Sequence, residues 1–108
     1  MKYAIVWGYK SQDNIFLTED REQATEAYRA LQTVASVTGL RAGYLMAEVQ
    51  LGCRTYSYFA KRIYCKGEQV AVPTPDGNML VLVRRMAIKT KAQLEAVCPL
   101  ARYKEVIE

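Results

Sequence analysis

The sequence predicts an α+β fold, in which an N-terminal β-hairpin and one amphipathic helix pack with a small antiparallel, barrel-like sheet. Residues 69–72 and 79–83 are apolar runs around a loop of Pro, Asp, Gly and Asn, which is typical of a β-hairpin. Residues 20–38 repeat apolar side chains at helical spacing, and strand-like patterns return from Gly43. The 108 residues, about half of them hydrophobic, suffice for a single domain, 1–108, with its own core.

Residues 1–42 are predicted to form a ββα unit. Residues 3–7 and 15–17 are rich in β-branched and aromatic side chains around a polar stretch, which predicts the first hairpin. A helix is expected over residues 20–38, because Thr18 or Asp20 can cap it and Gly39 can end it in the left-handed conformation. Its predicted buried face consists of Ala24, Ala27, Tyr28, Leu31, Val34, Ala35 and Val37.

Residues 43–108 are predicted to form the β-rich, barrel-like unit. Strands are expected over residues 44–51 and 54–60, and the hairpin of residues 69–83 follows them. Thr90 is the predicted N-cap of a short helix over residues 91–97, and residues 103–107 are predicted to be a closing edge strand.

The composition argues against an enzyme, a cofactor and a metal site. The chain has no histidine, which is the commonest general base and metal ligand. It also has no glycine-rich phosphate loop and no convergent acid, base and nucleophile. The three cysteines form no C-x-x-C pair and are interpreted as small thiols that are buried or half-buried.

A cytoplasmic location with no membrane partner is expected. No apolar run approaches the ~20 residues that cross a bilayer. Residues 1–8 are also too short and too quickly polar for a signal peptide.

Charge is distributed unevenly along the chain. Residues 1–40 contain four basic and five acidic side chains, whereas residues 41–108 contain eleven basic and six acidic ones. A basic C-terminal part of this kind favours an anionic partner such as nucleic acid, although it also describes an ordinary solvated surface.

An aromatic and basic segment supplies the candidate binding residues. On a strand, Tyr56 and Tyr58 share one face and could stack nucleic-acid bases, while Lys61 and Arg62 meet phosphates. The alternative is that the tyrosine rings pack in the core with their hydroxyl groups at its edge. A second basic cluster contains Arg84 and Arg85, whose side chains point to opposite faces of a regular strand. The six candidates are therefore Tyr56, Tyr58, Lys61, Arg62, Arg84 and Arg85.

Three features between residues 44 and 85 carry a family resemblance. They are a strand that ends in a turn at residues 49–52, the T-Y-x-Y pattern of Thr55, Tyr56 and Tyr58, and the run KGEQVAVP at residues 66–73. Together they resemble the small N-terminal DNA-binding barrel of primosomal helicases of the replication-restart type. In that family the domain contacts the exposed strand end at a stalled fork, so the resemblance implies binding to forked DNA. The ββα unit has no counterpart in the family, and no helicase motor is present in these 108 residues.

We therefore expect a small non-enzymatic binding module that contacts nucleic acid, single-stranded or forked DNA, through its basic C-terminal half. The alternative is a protein-interaction module, such as a phage or plasmid accessory or anti-defence factor, that binds a host protein through exposed tyrosines and sheet edges. An edge strand such as residues 103–107 would also allow a homodimer.

Overall fold

One long central strand, β3, pairs with three other strands in the computed structural model, which describes residues 1–108. The protein is α+β, mostly antiparallel sheet with one main helix, as the sequence predicts. No helix is both long enough and apolar enough to cross a membrane. The elements in chain order are β1 (Tyr3–Tyr9), β2 (Gln12–Thr18), α1 (Arg21–Gln32), β3 (Thr38–Leu51), β4 (Arg54–Phe59), β5 (Gln69–Thr74), β6 (Gly77–Lys89), α2 (Lys91–Glu95) and a 3₁₀ turn (Leu100–Arg102).

Both halves of the sheet share β3. Residues 38–44 of this strand pair with β1, which pairs in turn with β2. Further along, β3 pairs with β4 and with β6, and β5 follows β6. The boundary drawn between residues 42 and 43 therefore lies inside β3, and the two predicted units have one strand in common.

The second half of the sheet curls into a half-barrel around an apolar interior. β5 and β6 form the hairpin that the two apolar runs predict, and Gly77 provides the positive φ, 105°, after its turn. Because alternate residues of a strand face the same side, the three strands β3, β5 and β6 fill this interior with every second side chain. The buried residues they supply are Leu45, Ala47, Val49, Val70, Val72, Val81 and Val83.

Residues 104–107 span the gap between the two outer strands of the half-barrel. The N–H of Phe59 donates to Lys104 O at 2.9 Å, and the N–H of Val106 donates back to Phe59 O at 2.9 Å. Ile107 N–H then donates to Ala71 O on β5 at 2.8 Å. The predicted edge strand at residues 103–107 is thus reduced to a single parallel bridge to β4, and Lys104 O and the N–H groups of Val106 and Ile107 are bonded within the chain. Residues 104–107 are therefore not a free edge strand, and the homodimer through an edge strand stays a prediction.

The helix α1 is shorter than its periodicity predicts. It begins after Asp20, whose side chain accepts the Glu22 N–H at 2.9 Å, and it ends at Gln32 rather than at residue 38. The pairing of residues 38–44 with β1 takes the following segment into the sheet, and tertiary pairing overrides helical spacing there. Val34 is consequently exposed, and Gly39 takes its left-handed φ of 61° inside β3.

The helix α2 and the 3₁₀ turn cover the outer face of β3 and β4. Thr90 caps α2 as predicted, and its side chain and that of Gln93 form a reciprocal capping box. Leu94 is buried against Met46 and Phe59. Together with Tyr103, these residues form a second, smaller core on the side of the sheet opposite the half-barrel interior.

Candidate functional site

A groove of about 790 Å³ lies beside β4. β4 forms one wall, and the turn between β5 and β6 together with the segment from α2 to Lys104 forms the others. We call it the β4 groove. Its lining includes Glu48, Thr55, Tyr56, Ser57, Tyr58, Pro73, Arg102 and Lys104.

Hydrogen-bond alternation determines which way the β4 backbone points. In an antiparallel pair, every second residue directs its N–H and C=O groups toward the partner strand. Ala60 N–H donates to Leu45 O at 3.0 Å, so the even-numbered residues of β4 bond to β3. The odd-numbered residues point away from β3, and Phe59 uses both of its outward groups on residues 104 and 106.

Thr55 and Ser57 are the remaining outward-facing positions. Their backbone N–H and C=O groups have no partner, because the chain leaves the edge of β4 at Lys104 and turns toward the outer face. β4 is therefore an open edge strand over these two residues, and both of them line the β4 groove. Unpaired strand edges are templates for pairing with another chain.

The strand across the groove presents no such edge. Pro73 of β5 lacks an N–H, and its carbonyl oxygen accepts the hydroxyl of Tyr58 at 3.1 Å. Proline on an edge strand prevents further pairing. The groove thus has one side that can pair with an added strand and one side that cannot.

The charge at the groove is positive. Glu48 lies on its floor, only 12% exposed, and is neutralised by Arg85 and by Lys89, whose Nζ lies 3.0 Å away. The hydrogen bond from Arg85 lowers the pKa of the Glu48 carboxyl more than burial raises it. Arg102 and Lys104 form no ion pair within the chain, so their charges are available to a ligand.

Tyr56 and Tyr58 share one face of β4, and that face leads into the half-barrel. Tyr58 is only 9% exposed, and burial raises the pKa of its hydroxyl. Its ring is part of the core, as the packing alternative predicts. Tyr56, two residues earlier on β4, is 43% exposed and lies in the β4 groove.

Lys61 and Arg62 lie beyond the end of β4, among groups of their own chain. Arg62 forms ion pairs with Glu68 and with Glu108, the latter at 3.1 Å, and its guanidinium lies 4.4 Å from the centre of the Tyr64 ring. Lys61 Nζ lies 3.5 Å from a backbone oxygen of the C-terminal segment. The segment after β4 is therefore held to the C-terminus.

Arg84 and Arg85 lie on the same face, which corrects the prediction that they point apart. A β-bulge places Arg84 as an extra residue between the pairs formed by Val83 and Arg85. Arg84 Nη1 donates to Gln50 Oε1 at 2.9 Å, and Arg85 bonds to Glu48 two residues earlier on β3. Both arginines thus belong to the outer face of the sheet.

The six predicted residues lie in three places rather than on one surface. Tyr56 and Tyr58 lie on β4, Lys61 and Arg62 lie beside the C-terminal segment, and Arg84 and Arg85 lie on the outer face of the sheet.

No family model, curated protein or solved structure matches this chain. The resemblance of residues 44–85 to the helicase barrel stays a prediction. Arg102, Lys104 and the backbone of Thr55 and Ser57, which the sequence did not single out, are the groups that meet at one groove.

Proposed function

We propose that the protein is an interaction module that binds an extended, acidic segment of a partner protein by β-strand addition along β4. The observation that carries this proposal is the open edge at Thr55 and Ser57 within the β4 groove. Main-chain hydrogen bonds provide affinity in this binding mode, and pockets for alternate side chains provide specificity.

The backbone geometry supports a short added strand. Thr55 and Ser57 offer two N–H donors and two C=O acceptors beside the bridge that Phe59 already makes to the C-terminal segment. Each main-chain hydrogen bond contributes a net ~0.5–1.5 kcal/mol. Four such bonds would supply a few kcal/mol, so contacts with side chains have to add to the affinity.

The side chains of the groove indicate the character of the ligand. Every second residue of an added strand would face Tyr56 and Pro73, which favour an apolar or aromatic side chain. Arg102 and Lys104 stand unpaired at the same groove and favour carboxylates nearby. We therefore expect the partner segment to alternate apolar and acidic residues.

Single-stranded nucleic acid is the second candidate ligand for this groove. The observation that favours it is the half-exposed ring of Tyr56 beside two unpaired cations, a combination that stacks bases and contacts phosphates. On this hypothesis the contacts are made by Tyr56, Arg102 and Lys104, and the open backbone of β4 has no part in binding.

The decisive experiment compares Ser57→Pro with Ser57→Ala. Proline removes the outward N–H of residue 57 and obstructs the edge, while alanine removes only the side chain. The probe is a synthetic peptide of alternating valine and glutamate, titrated by NMR and calorimetry. We expect the amides of Thr55 and Ser57 to shift and to gain protection from hydrogen exchange. Ser57→Pro should weaken binding by about tenfold or more, and Ser57→Ala by about twofold or less.

The same variants separate the two ligand classes. Equal binding of the peptide to both variants, with thermal unfolding confirming that both are folded, would refute strand addition. Oligo-dT and a forked DNA provide the second arm. DNA binding that falls steeply with salt, persists in Ser57→Pro and disappears in Tyr56→Ala would establish the nucleic-acid alternative instead.

A further inference from the structure

A second concave site lies away from the β4 groove, between α1 and the sheet. This cleft has a volume of about 400 Å³, which is within the range of small-molecule pockets. It is bounded by α1, by β1 and β3, and by the first residue of α2. We call it the α1 cleft.

Small side chains create the space in this cleft. Ala24 of α1 faces Ala42 and Gly43 of β3 across it, and no residue of α1 is fully buried. Gly43 has a structural reason to be small, since a Cβ there would lie 2.6 Å from the backbone oxygen of Lys89. Ala24, Ala42 and Gly43 therefore contribute little side-chain volume to the walls of the cleft.

The charges of the cleft are all of one sign. Arg21 and Arg29 of α1 and Lys91 of α2 line it, and no carboxylate does. Neither arginine forms an ion pair, although Glu22 and Glu26 lie with both of them on the adjoining surface of α1, and Lys91 Nζ lies 3.6 Å from Glu95. Two guanidinium groups without partners at the rim of a cavity favour an anion.

Aromatic rings lie on both sides of the cleft. Tyr28 projects from the helix side, and Tyr3 and Tyr44 lie on the sheet side with ring centres 5.3 Å apart. Tyrosine rings present a large flat surface together with a polar hydroxyl group, and they suit a planar ligand. An inorganic anion alone would leave this surface unused.

Arg21 and Arg29 are well separated along α1, and their separation bears on the length of the ligand. Eight residues along a helix separate Arg21 and Arg29 by about 12 Å at the backbone, at ~1.5 Å per residue. An elongated ligand, larger than a single phosphate group, can contact both guanidinium groups. It can place an oxyanion at one guanidinium and a flat ring against the other, because guanidinium groups stack on planar rings.

We propose that the α1 cleft binds a small organic phosphate with a planar ring, of the nucleoside phosphate class. One guanidinium of Arg21 and Arg29 binds the phosphate end of the ligand together with Lys91, the other stacks on its ring, and Tyr28 covers the ring. This site is independent of the β4 groove, because the two share no lining residue.

The test is a titration with AMP, adenosine and inorganic phosphate, followed by NMR and calorimetry. We expect AMP to bind and to shift the amides around Gly43, with adenosine and phosphate each binding about tenfold more weakly. The double variant Arg21→Gln/Arg29→Gln should lose about tenfold or more in affinity for AMP. Tyr28→Leu, which keeps an apolar group but removes the ring, should weaken AMP and leave phosphate unchanged.

The matched control is Arg41→Gln, which removes an exposed arginine of β3 that does not line the cleft. It should change AMP affinity by about twofold or less, since it alters the net charge without touching the site. Absence of AMP binding, or an equal loss in Arg41→Gln and in the double variant, would overturn the proposal. Ser57→Pro should leave AMP binding intact, so failure of the α1 cleft and failure of strand addition are distinguishable.

Discussion

Truncation of Val106 to alanine should lower the free energy of unfolding by about 2–3 kcal/mol. Val106 is fully buried and packs in the half-barrel interior, where residues 104–107 join β4 to β5. The loss of two carbon atoms costs about 1.6 kcal/mol at ~0.8 kcal/mol each. The cavity that remains adds about 1 kcal/mol, because a packed interior relaxes only in part. Alanine keeps the N–H that donates to Phe59, so the change tests packing alone.

Ile107→Ala is the matched control for this prediction. Ile107 is the next residue, it is 42% exposed, and its N–H donates to Ala71 in either form. We expect it to cost about 1 kcal/mol or less. Urea unfolding followed by circular dichroism measures both variants, and the fluorescence of Trp7 in β1 reports separately on the other half of the sheet.

Two results would refute this reasoning. If Val106→Ala costs no more than Ile107→Ala, the C-terminal segment does not complete the half-barrel core. If Trp7 fluorescence and circular dichroism give separate midpoints, the two halves of the sheet unfold independently despite sharing β3.

Three further predictions concern single groups. Glu48→Gln should destabilise the fold at about pH 7 and progressively less below pH 4.5, because the hydrogen bond from Arg85 and the neighbouring Lys89 lower the pKa of this carboxyl below 4.5 and its stabilising effect is lost as the pH falls through the lowered value. Urea midpoints across a pH series measure this. Burial, with the hydrogen bond to Glu108, raises the pKa of Tyr64 from 10.0 to about 12, so the absorbance difference between the protein and Tyr64→Phe should show this phenolate only near that pH, and the associated stability should be lost between these two values. A phenolate that forms near its ordinary pKa would contradict that placement. Gly43→Ala should cost about 1–3 kcal/mol in thermal or urea unfolding, because its Cβ would meet the Lys89 backbone; a neutral effect would show that β3 and β6 are less closely paired there.

The strands of the half-barrel were predictable because their signal is local. Val70 and Val72 are buried on either side of the half-buried Ala71, Val81 and Val83 are buried on either side of the exposed Leu82, and Gly77 supplies the backbone conformation that the turn requires. The N-cap Thr90 was predictable for the same reason, since a capping box is read from four consecutive residues.

The end of α1 was not predictable, because it is decided by a distant strand. Apolar residues continue at helical spacing through Val37, and nothing in that segment shows that β1 needs a partner at residues 38–44. The bulge at Arg84 is a similar case. Regular alternation places Arg84 and Arg85 on opposite faces, whereas the extra residue brings both to the outer face.

The candidate site was even less predictable, because it is made by what the chain leaves unpaired. Thr55 and Ser57 have ordinary strand side chains, and their free backbone groups follow from the point where Lys104 leaves β4. Ion pairs between residues far apart in sequence are equally unpredictable, and they determine which charges are neutralised. Arg85 is neutralised by Glu48, which no local pattern indicates, while Arg102 and Lys104 keep their charges.

Both proposed sites arise from one property of the outer face, which is that each helix covers only part of it. A row of aromatic rings fills the area between them: Tyr3, Tyr44, Phe59 and Tyr103 follow one another with ring centres 5.3, 5.7 and 6.0 Å apart. The α1 cleft opens at the Tyr3 end of this row, and the β4 groove opens at the Tyr103 end. A substitution in the middle of the row would disturb packing at both ends and could not assign a ligand to either. Substitutions at the rims, Arg21 for the cleft and Ser57 for the groove, change one site at a time, and for that reason they test each proposal separately.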